Sequence, residues 1–89
     1  MVTMSSASKL RMRFLLERAK LRGEFARRHF EASDKNWKLA LKAAKHDLQT
    51  LLSISSQLDL SLWQRIAEIQ ISKITANEVH MTQAMVLSV

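Results

Sequence analysis

Residues 37–55, WKLALKAAKHDLQTLLSIS, place an apolar or small side chain at alternating intervals of four and three residues. The positions that share this spacing are Trp37, Leu41, Ala44, Leu48, Leu51 and Ser55. Because an α-helix turns once every 3.6 residues, this spacing gathers them on one face and predicts a helix packed along that seam. Ser33 and Asp34 precede the seam as candidate N-caps. The polar residues Ser56 and Asp59 predict a break after it.

The segment before the seam predicts a longer first helix, from about Ser6 to Ala32, because it is rich in strong helix formers. At 1.5 Å per residue this helix is about 40 Å long. Gly23 lies inside it, where glycine costs about 1 kcal/mol relative to alanine. We therefore expect a close contact with a neighbouring helix at Gly23.

A third helix is predicted after the break. The tetrapeptide SLWQ, Ser61 to Gln64, matches a capping box and marks its start. Its apolar residues cover about half of the circumference at 100° per residue, so we expect this helix to be mostly buried. A second box pattern, Thr75 to Glu78, predicts either a new short helix or a kink.

These segments predict an all-α fold in a single domain, residues 1–89, with residues 1–5 and 82–89 as candidate flexible ends. Two arrangements fit the pattern: a three-helix bundle, or a long helical hairpin with a third buried helix. A domain of this length buries only roughly 60–65% of its unfolded surface. The chain has no cysteine, so neither a disulfide nor thiolate-bound zinc supports it. Helix packing, or completion of the fold by oligomerisation, must supply the stability.

The first helix carries apolar residues on two nearly opposite sides. One side consists of Met12, Leu15, Leu16, Ala19, Gly23, Ala26 and Phe30, and the other of Leu10, Phe14, Leu21 and Phe25. Two other helices of the same chain can cover both sides, or another molecule can cover the second side. In an 89-residue chain of three helices, the other two helices can rarely cover two opposite sides of so long a first helix. The pattern therefore favours a homo-oligomer or a protein partner bound through the second side.

Basic residues are concentrated in the first half of the chain. Residues 1–46 contain twelve Lys and Arg and four Asp and Glu, a net charge of +8, whereas residues 47–89 contain two and four, a net charge of −2. The candidate anion-binding residues are Arg11, Arg18, Arg22 and Arg28 on the first helix and Lys35, Lys38, Lys42 and Lys45 on the second. These residues can bind the phosphates of a nucleic acid or the carboxylates of an acidic protein, and they can equally well face solvent alone.

The sequence argues against an enzyme. One glycine cannot build a nucleotide-binding loop, and the scattered serines define no nucleophile, base and acid. His29, His46 and His80 lack the spacing of metal ligands. We therefore expect no cofactor, no metal and no small-molecule substrate.

The class of protein that remains is one that acts by binding another molecule. The longest apolar run, residues 84–87, is too short to cross a bilayer, so we expect no membrane span. Glu17, Arg18 and Lys20 interrupt the apolar residues near the N-terminus, which argues against a secretory signal, so we expect a cytoplasmic location. A helix-turn-helix alignment fails because Ile71 falls where the turn usually has glycine. We expect a helical protein–protein interaction module, with an adaptor, chaperone-like or regulatory role, that self-associates or docks a partner through the first helix. The alternative is a basic, sequence-tolerant nucleic-acid-binding accessory protein.

Overall fold

The computed structural model describes residues 6–87, which form three α-helices: α1 (Ser6–Glu31), α2 (Trp37–Gln57) and α3 (Ser61–Leu87). No strand occurs within residues 6–87. The predicted all-α class is confirmed, as a three-helix bundle. The predictions for residues 1–5 and 88–89 lie outside the described residues, whereas residues 82–87 form the last turns of α3.

The core is built around α2, the middle helix. Its predicted seam is buried from Trp37 to Ser55, with each seam residue at most 2% exposed. The core residues of the outer helices are Met12, Leu15, Ala19 and Ala26 of α1 and Ala67, Ile74 and Met81 of α3. Both outer helices pack against α2, but they contact each other only slightly. The molecule is therefore elongated, with principal extents of 56 × 18 × 13 Å.

The chain reverses after α1 through a left-handed residue, Ser33, with φ of 59°. The Ser33 N–H donates to the Phe30 carbonyl at 3.0 Å, which satisfies one of the last carbonyls of α1. The Asp34 carboxylate accepts a hydrogen bond from the Asn36 N–H at 3.0 Å and shapes the turn. The N-cap of α2 is Asn36, so the prediction that Ser33 or Asp34 caps this helix is wrong.

The second reversal separates α2 from α3 where the sequence predicted a break. Asp59 is left-handed, with φ of 55°, and the Leu60 N–H donates to the Ser55 carbonyl at 2.9 Å. α3 begins at Ser61 as predicted. The Gln64 side chain does not complete a capping box, because its Nε2 donates to the Ser56 hydroxyl at 2.9 Å. This hydrogen bond connects the first turn of α3 to the end of α2.

Two expectations for α3 differ from the structure. No new helix starts at residue 75, because α3 runs from Ser61 to Leu87, and the Thr75 hydroxyl donates to the Ile71 carbonyl of the preceding turn at 2.9 Å. The alternative of a kink there stays a prediction. The helix is also not mostly buried, since Leu62 is 70% and Ile69 is 44% exposed. α3 packs one face on α2 and leaves its other face open.

The close helix contact expected at Gly23 is absent. A Cβ atom at this position would meet no atom of a neighbouring helix within 4 Å. Gly23 instead faces the gap between α1 and α3, where the two outer helices diverge. Glycine is therefore not required here by close packing.

Candidate interaction surface on the first helix

The second apolar side of α1 is open to solvent. We call it the outer stripe, and it consists of Leu10, Phe14, Leu21 and Phe25, which are 66%, 56%, 60% and 52% exposed. At 100° per residue they occupy a sector of about 60°, on the side of α1 away from the core. Neither α2 nor α3 covers them. A single exposed leucine is ordinary, but an aligned set of large apolar side chains is typical of an interaction surface.

The outer stripe is narrower than the apolar line on α3. The exposed residues Leu62, Ile69, Val79 and Val86 of α3 spread over about 120° of the helix surface. An apolar sector of about 60° matches the seam of a two-helix contact, whereas a core-facing stripe is about 100° wide or more. The outer stripe of α1 is therefore the better-defined site for one bound helix.

One edge of the outer stripe is formed by an ion cluster that joins α1 to α2. The Asp47 carboxylate accepts hydrogen bonds from Arg18 Nε at 2.9 Å and Arg18 Nη2 at 2.7 Å. It accepts a third from Arg22 Nη1 at 2.8 Å. Asp47 is only 1% exposed, whereas the side chains of Arg18 and Arg22 are 39% and 34% exposed. The cluster thus has a buried acidic centre and a half-exposed basic surface.

The electrostatics of the cluster keep Asp47 ionised. Burial raises the pKa of Asp47, but the hydrogen bonds and positive charges of Arg18 and Arg22 outweigh it, so the pKa lies below its ordinary value. Two guanidinium groups share one carboxylate, so the cluster keeps a net positive charge. Arg18 also lies over the Phe14 ring, with Cζ 4.8 Å from the ring centroid. Asp47 therefore holds in place a cation that contacts the outer stripe.

The opposite edge of the outer stripe carries Glu17, Glu24 and Glu31 at intervals of seven residues, and all three are exposed. Glu24 pairs with Arg27 at 3.1 Å, and Glu17 approaches Lys20 at 3.9 Å. Exposed pairs of this kind contribute about 0–1 kcal/mol, so these carboxylates are readily shared with another partner. The outer stripe therefore runs between a basic edge and an edge of mixed charge, where Lys20 and Arg27 lie beside the glutamates.

The structure does not bring the predicted anion-binding residues into one patch. Arg18 and Arg22 bind Asp47, while Lys38, Lys42 and Lys45 line a depression of about 420 Å³ beside α3. At 100° per residue Lys45 lies about 160° around α2 from Asp47. The lysines and the arginine cluster thus lie on different flanks of α2. Lys35, Arg11 and Arg28 are exposed at other points.

A groove of about 640 Å³ separates α1 from α3. Its floor includes Leu41 and Leu48 of α2, and its walls include Gly23 on one side and Ile74 and Met81 on the other. Charged residues of both signs line its rim, so its electrostatics favour no particular ligand. The sequence did not reveal this groove, since Gly23 suggested a close contact at the same place.

The turn after α1 holds a second contact between titratable side chains. His29 Nδ1 lies 2.8 Å from an Asp34 carboxylate oxygen, at the turn after α1.

Within residues 6–87, no group of three or more His, Asp or Glu side chains is placed to hold a metal ion. Across the same residues, no helix is both long enough and apolar enough to span a bilayer.

Sequence reasoning did not identify Asp47. The available signal was a lone acidic residue within a lysine-rich helix, directly before the seam residue Leu48. Its partners are distant in sequence, because Arg18 lies 29 residues away. Only the packing of α1 on α2 brings them together.

The chain matches no protein-family model, no curated protein sequence and no solved structure. Its function is therefore inferred from the outer stripe and the two edges beside it.

Proposed function

We propose that this protein is a non-enzymatic helical module that self-associates or docks a protein partner through the outer stripe of α1. The observation that carries this proposal is the exposure of Leu10, Phe14, Leu21 and Phe25, each more than half open to solvent on one line. Fully burying such a side chain is favourable by about 1.5–3 kcal/mol, so a complementary helix gains several kcal/mol from the set. A module of this kind acts as an adaptor, a chaperone-like factor or a regulator.

The proposal also places the protein in the cytoplasm. A helical chain without cysteine needs no oxidising compartment to fold. Its stability comes from the α2 seam and the ion cluster of Asp47, both of which form in a reducing environment.

Nucleic-acid binding is the weaker alternative. The net charge of +6 and the exposed lysines Lys35, Lys38 and Lys42 favour it. Against it, Arg18 and Arg22 already bind Asp47, and Glu78 lies beside the lysines. A phosphate backbone also leaves the outer stripe uncovered, so this alternative does not account for the exposed apolar side of α1.

Site-specific photo-crosslinking tests the proposal. A photoreactive residue replaces Leu21 in one variant and Leu39 in a control, because these leucines are 60% and 66% exposed on α1 and α2. We expect protein adducts at position 21, retained at about 0.3 M salt because apolar contact is little screened. We expect few adducts at position 39. Equal labelling at both positions, or adducts with nucleic acid alone, contradicts the proposal.

A further inference from the structure

We infer that Arg18 and Arg22 form a carboxylate-binding site beside the outer stripe, and that the chain bound there presents an aspartate or glutamate to it. This inference rests on the proposed function and specifies the chemistry of the bound chain. It follows from the hydrogen bonds that the two arginines make to Asp47 and from the donors that they leave unused.

Each of the two guanidinium groups keeps one pair of adjacent nitrogens for a second carboxylate. A guanidinium has five N–H groups, and two adjacent nitrogens can bind one carboxylate in a fork. Arg18 uses Nε and one N–H of Nη2 for Asp47, which leaves Nη1 and the other N–H of Nη2. Arg22 uses Nη1 for Asp47 and the Ala43 carbonyl, which leaves Nε and Nη2. The pair of arginines can therefore bind an acid in addition to Asp47.

The charge of the cluster matches a carboxylate. Arg18 alone binds Asp47 through two hydrogen bonds, so Arg22 brings a second positive charge close to the first. Like charges at short range repel, and a further anion offsets this repulsion. Two arginines and one aspartate leave a net charge of +1. One carboxylate, with a single negative charge, neutralises it.

Asp47 holds both arginines in place before a ligand binds. Its oxygens accept hydrogen bonds from Arg18 at 2.9 and 2.7 Å and from Arg22 at 2.8 Å. Long side chains lose rotamer freedom when they bind a ligand, and side chains that are already held lose less. The Asp47 side of each guanidinium faces a buried residue, yet the two arginine side chains are 39% and 34% exposed. Their exposed parts therefore lie away from Asp47, where a ligand can reach them.

The position of the site indicates that the carboxylate belongs to a protein chain. Arg18 Cζ lies 4.8 Å from the centroid of the Phe14 ring, so one side chain contacts both the outer stripe and the site. At 100° per residue, Arg18 and Arg22 lie about 20° and 60° around α1 from Phe25. A helix that covers the outer stripe therefore brings the polar residues beside its own apolar face next to both arginines. The surrounding apolar contact excludes water, which strengthens an ion pair at this position.

Phosphate-bearing ligands fit this site less well. A phosphate monoester carries a charge of about −1.5 to −2, which exceeds the net charge of the cluster. A nucleic acid presents a row of phosphates, whereas the predicted anion-binding lysines of α2 lie on a different flank. An anionic membrane would also face the exposed Glu17 and Glu24, with a like-charge cost. A helix with an acidic residue beside its apolar face satisfies both the site and the outer stripe.

Side-chain NMR tests the site with a simple carboxylate, acetate. The Nε–H signal of Arg22 is followed while acetate replaces chloride at constant ionic strength, with Arg65, which is exposed on α3, as the control. We expect a saturable shift of the Arg22 signal, because its Nε–H is one of the unused donors. We expect no saturable shift at Arg65. The absence of a saturable shift at Arg22, or an equal response at both residues, overturns the inference.

Two synthetic helical peptides provide the second test. Both carry leucines on one face, and the residues beside that face are glutamates in one peptide and glutamines in the other. We expect the wild type to bind the glutamate peptide about tenfold more tightly. Arg22→Gln is expected to reduce this preference below about threefold and to keep the fold, because Arg18 still binds Asp47. Arg65→Gln changes the net charge equally and is expected to keep the preference. An equal loss of preference in both variants overturns the inference.

The outcomes separate this inference from the proposed function. If both peptides bind equally and lose binding on Phe14→Ser with Phe25→Ser, the carboxylate site is overturned while the outer stripe is supported. Single-stranded RNA that shifts the Arg22 signal where the glutamate peptide does not also overturns the inference. A shift of this signal on concentrating the protein alone identifies a second copy as the source of the carboxylate. A shift only with added peptide identifies a different chain, and either source supports the site.

Discussion

The guanidinium group of Arg18 donates two hydrogen bonds to the carboxylate of Asp47, at 2.9 and 2.7 Å, and so connects α1 to the middle helix beside the outer stripe. The same guanidinium lies over Phe14, one of the four exposed apolar residues. Arg18 therefore contacts both a buried acid and the proposed interface. The same side chain thus contributes both to the packing of α1 on α2 and to the outer stripe.

Neutralising Asp47 tests the contribution of the ion cluster to the fold. We expect Asp47→Asn to lower the free energy of unfolding by about 1–3 kcal/mol, because the buried group loses its charged hydrogen bonds to Arg18 and Arg22. The measurement is urea denaturation followed by circular dichroism. Asp59→Asn is the matched control, since Asp59 is exposed and its left-handed backbone accepts asparagine. Similar small losses for both variants would show that the cluster contributes little.

The pKa of Asp47 also predicts how stability changes with pH. The folded-state pKa lies below the ordinary value of 3.8, so this carboxylate stabilises the fold above that value. Its contribution is lost as the pH falls through the folded pKa. Asp34 behaves in the same way, because the Asn36 N–H lowers its pKa, with further help from His29. We expect the stability of the protein to fall below about pH 4 and Asp47→Asn to show a shallower fall. Parallel pH curves for the two proteins would contradict this assignment.

Gly23→Ala tests whether the gap between α1 and α3 is open in solution. No neighbouring helix lies within 4 Å of the added Cβ, and alanine is the better helix former. We expect the substitution to raise the free energy of unfolding by about 0.5–1 kcal/mol. Thermal unfolding measures this difference. A loss of stability would mean that α3 closes on α1 at this point, as the sequence first suggested.

The lysines of α2 separate the two functional hypotheses. We expect Lys38→Ala with Lys42→Ala to leave self-association within about threefold of the wild type, because these residues lie beside α3 and away from the outer stripe. Sedimentation velocity measures self-association of the protein alone, and it measures RNA binding after single-stranded RNA is added. Dimer loss in this variant, or RNA binding that persists at about 0.3 M salt, would favour a different surface.

The helical class and the α2 seam could be predicted because both follow from local spacing. Trp37 and Leu41 lie on the face that a period of 3.6 residues assigns them, and that face is buried. The two apolar sides of α1 could be predicted for the same reason, because they follow from the spacing of residues within one helix. Which side is covered depends on how three helices fit together, and the spacing leaves this open.

The expectations that failed concern residues whose environment is set by distant parts of the chain or by competing hydrogen bonds. Thr75 matches a capping pattern, yet its hydroxyl donates to the Ile71 carbonyl in an uninterrupted helix. Gln64 likewise bonds to Ser56 of the preceding helix. Asp47 could not be paired with Arg18 from sequence, because no local rule relates residues 29 positions apart.

The most direct test of the account is the mass of the purified protein by light scattering at about 0.3 M salt, beside a variant that combines Phe14→Ser and Phe25→Ser. We predict a wild-type mass of twice 10.2 kDa, falling to 10.2 kDa in the variant. The variant should keep its helical circular dichroism, because both phenylalanines are more than half exposed. A wild-type mass of 10.2 kDa at every concentration, or a dimer that survives both substitutions, would contradict self-association through the outer stripe.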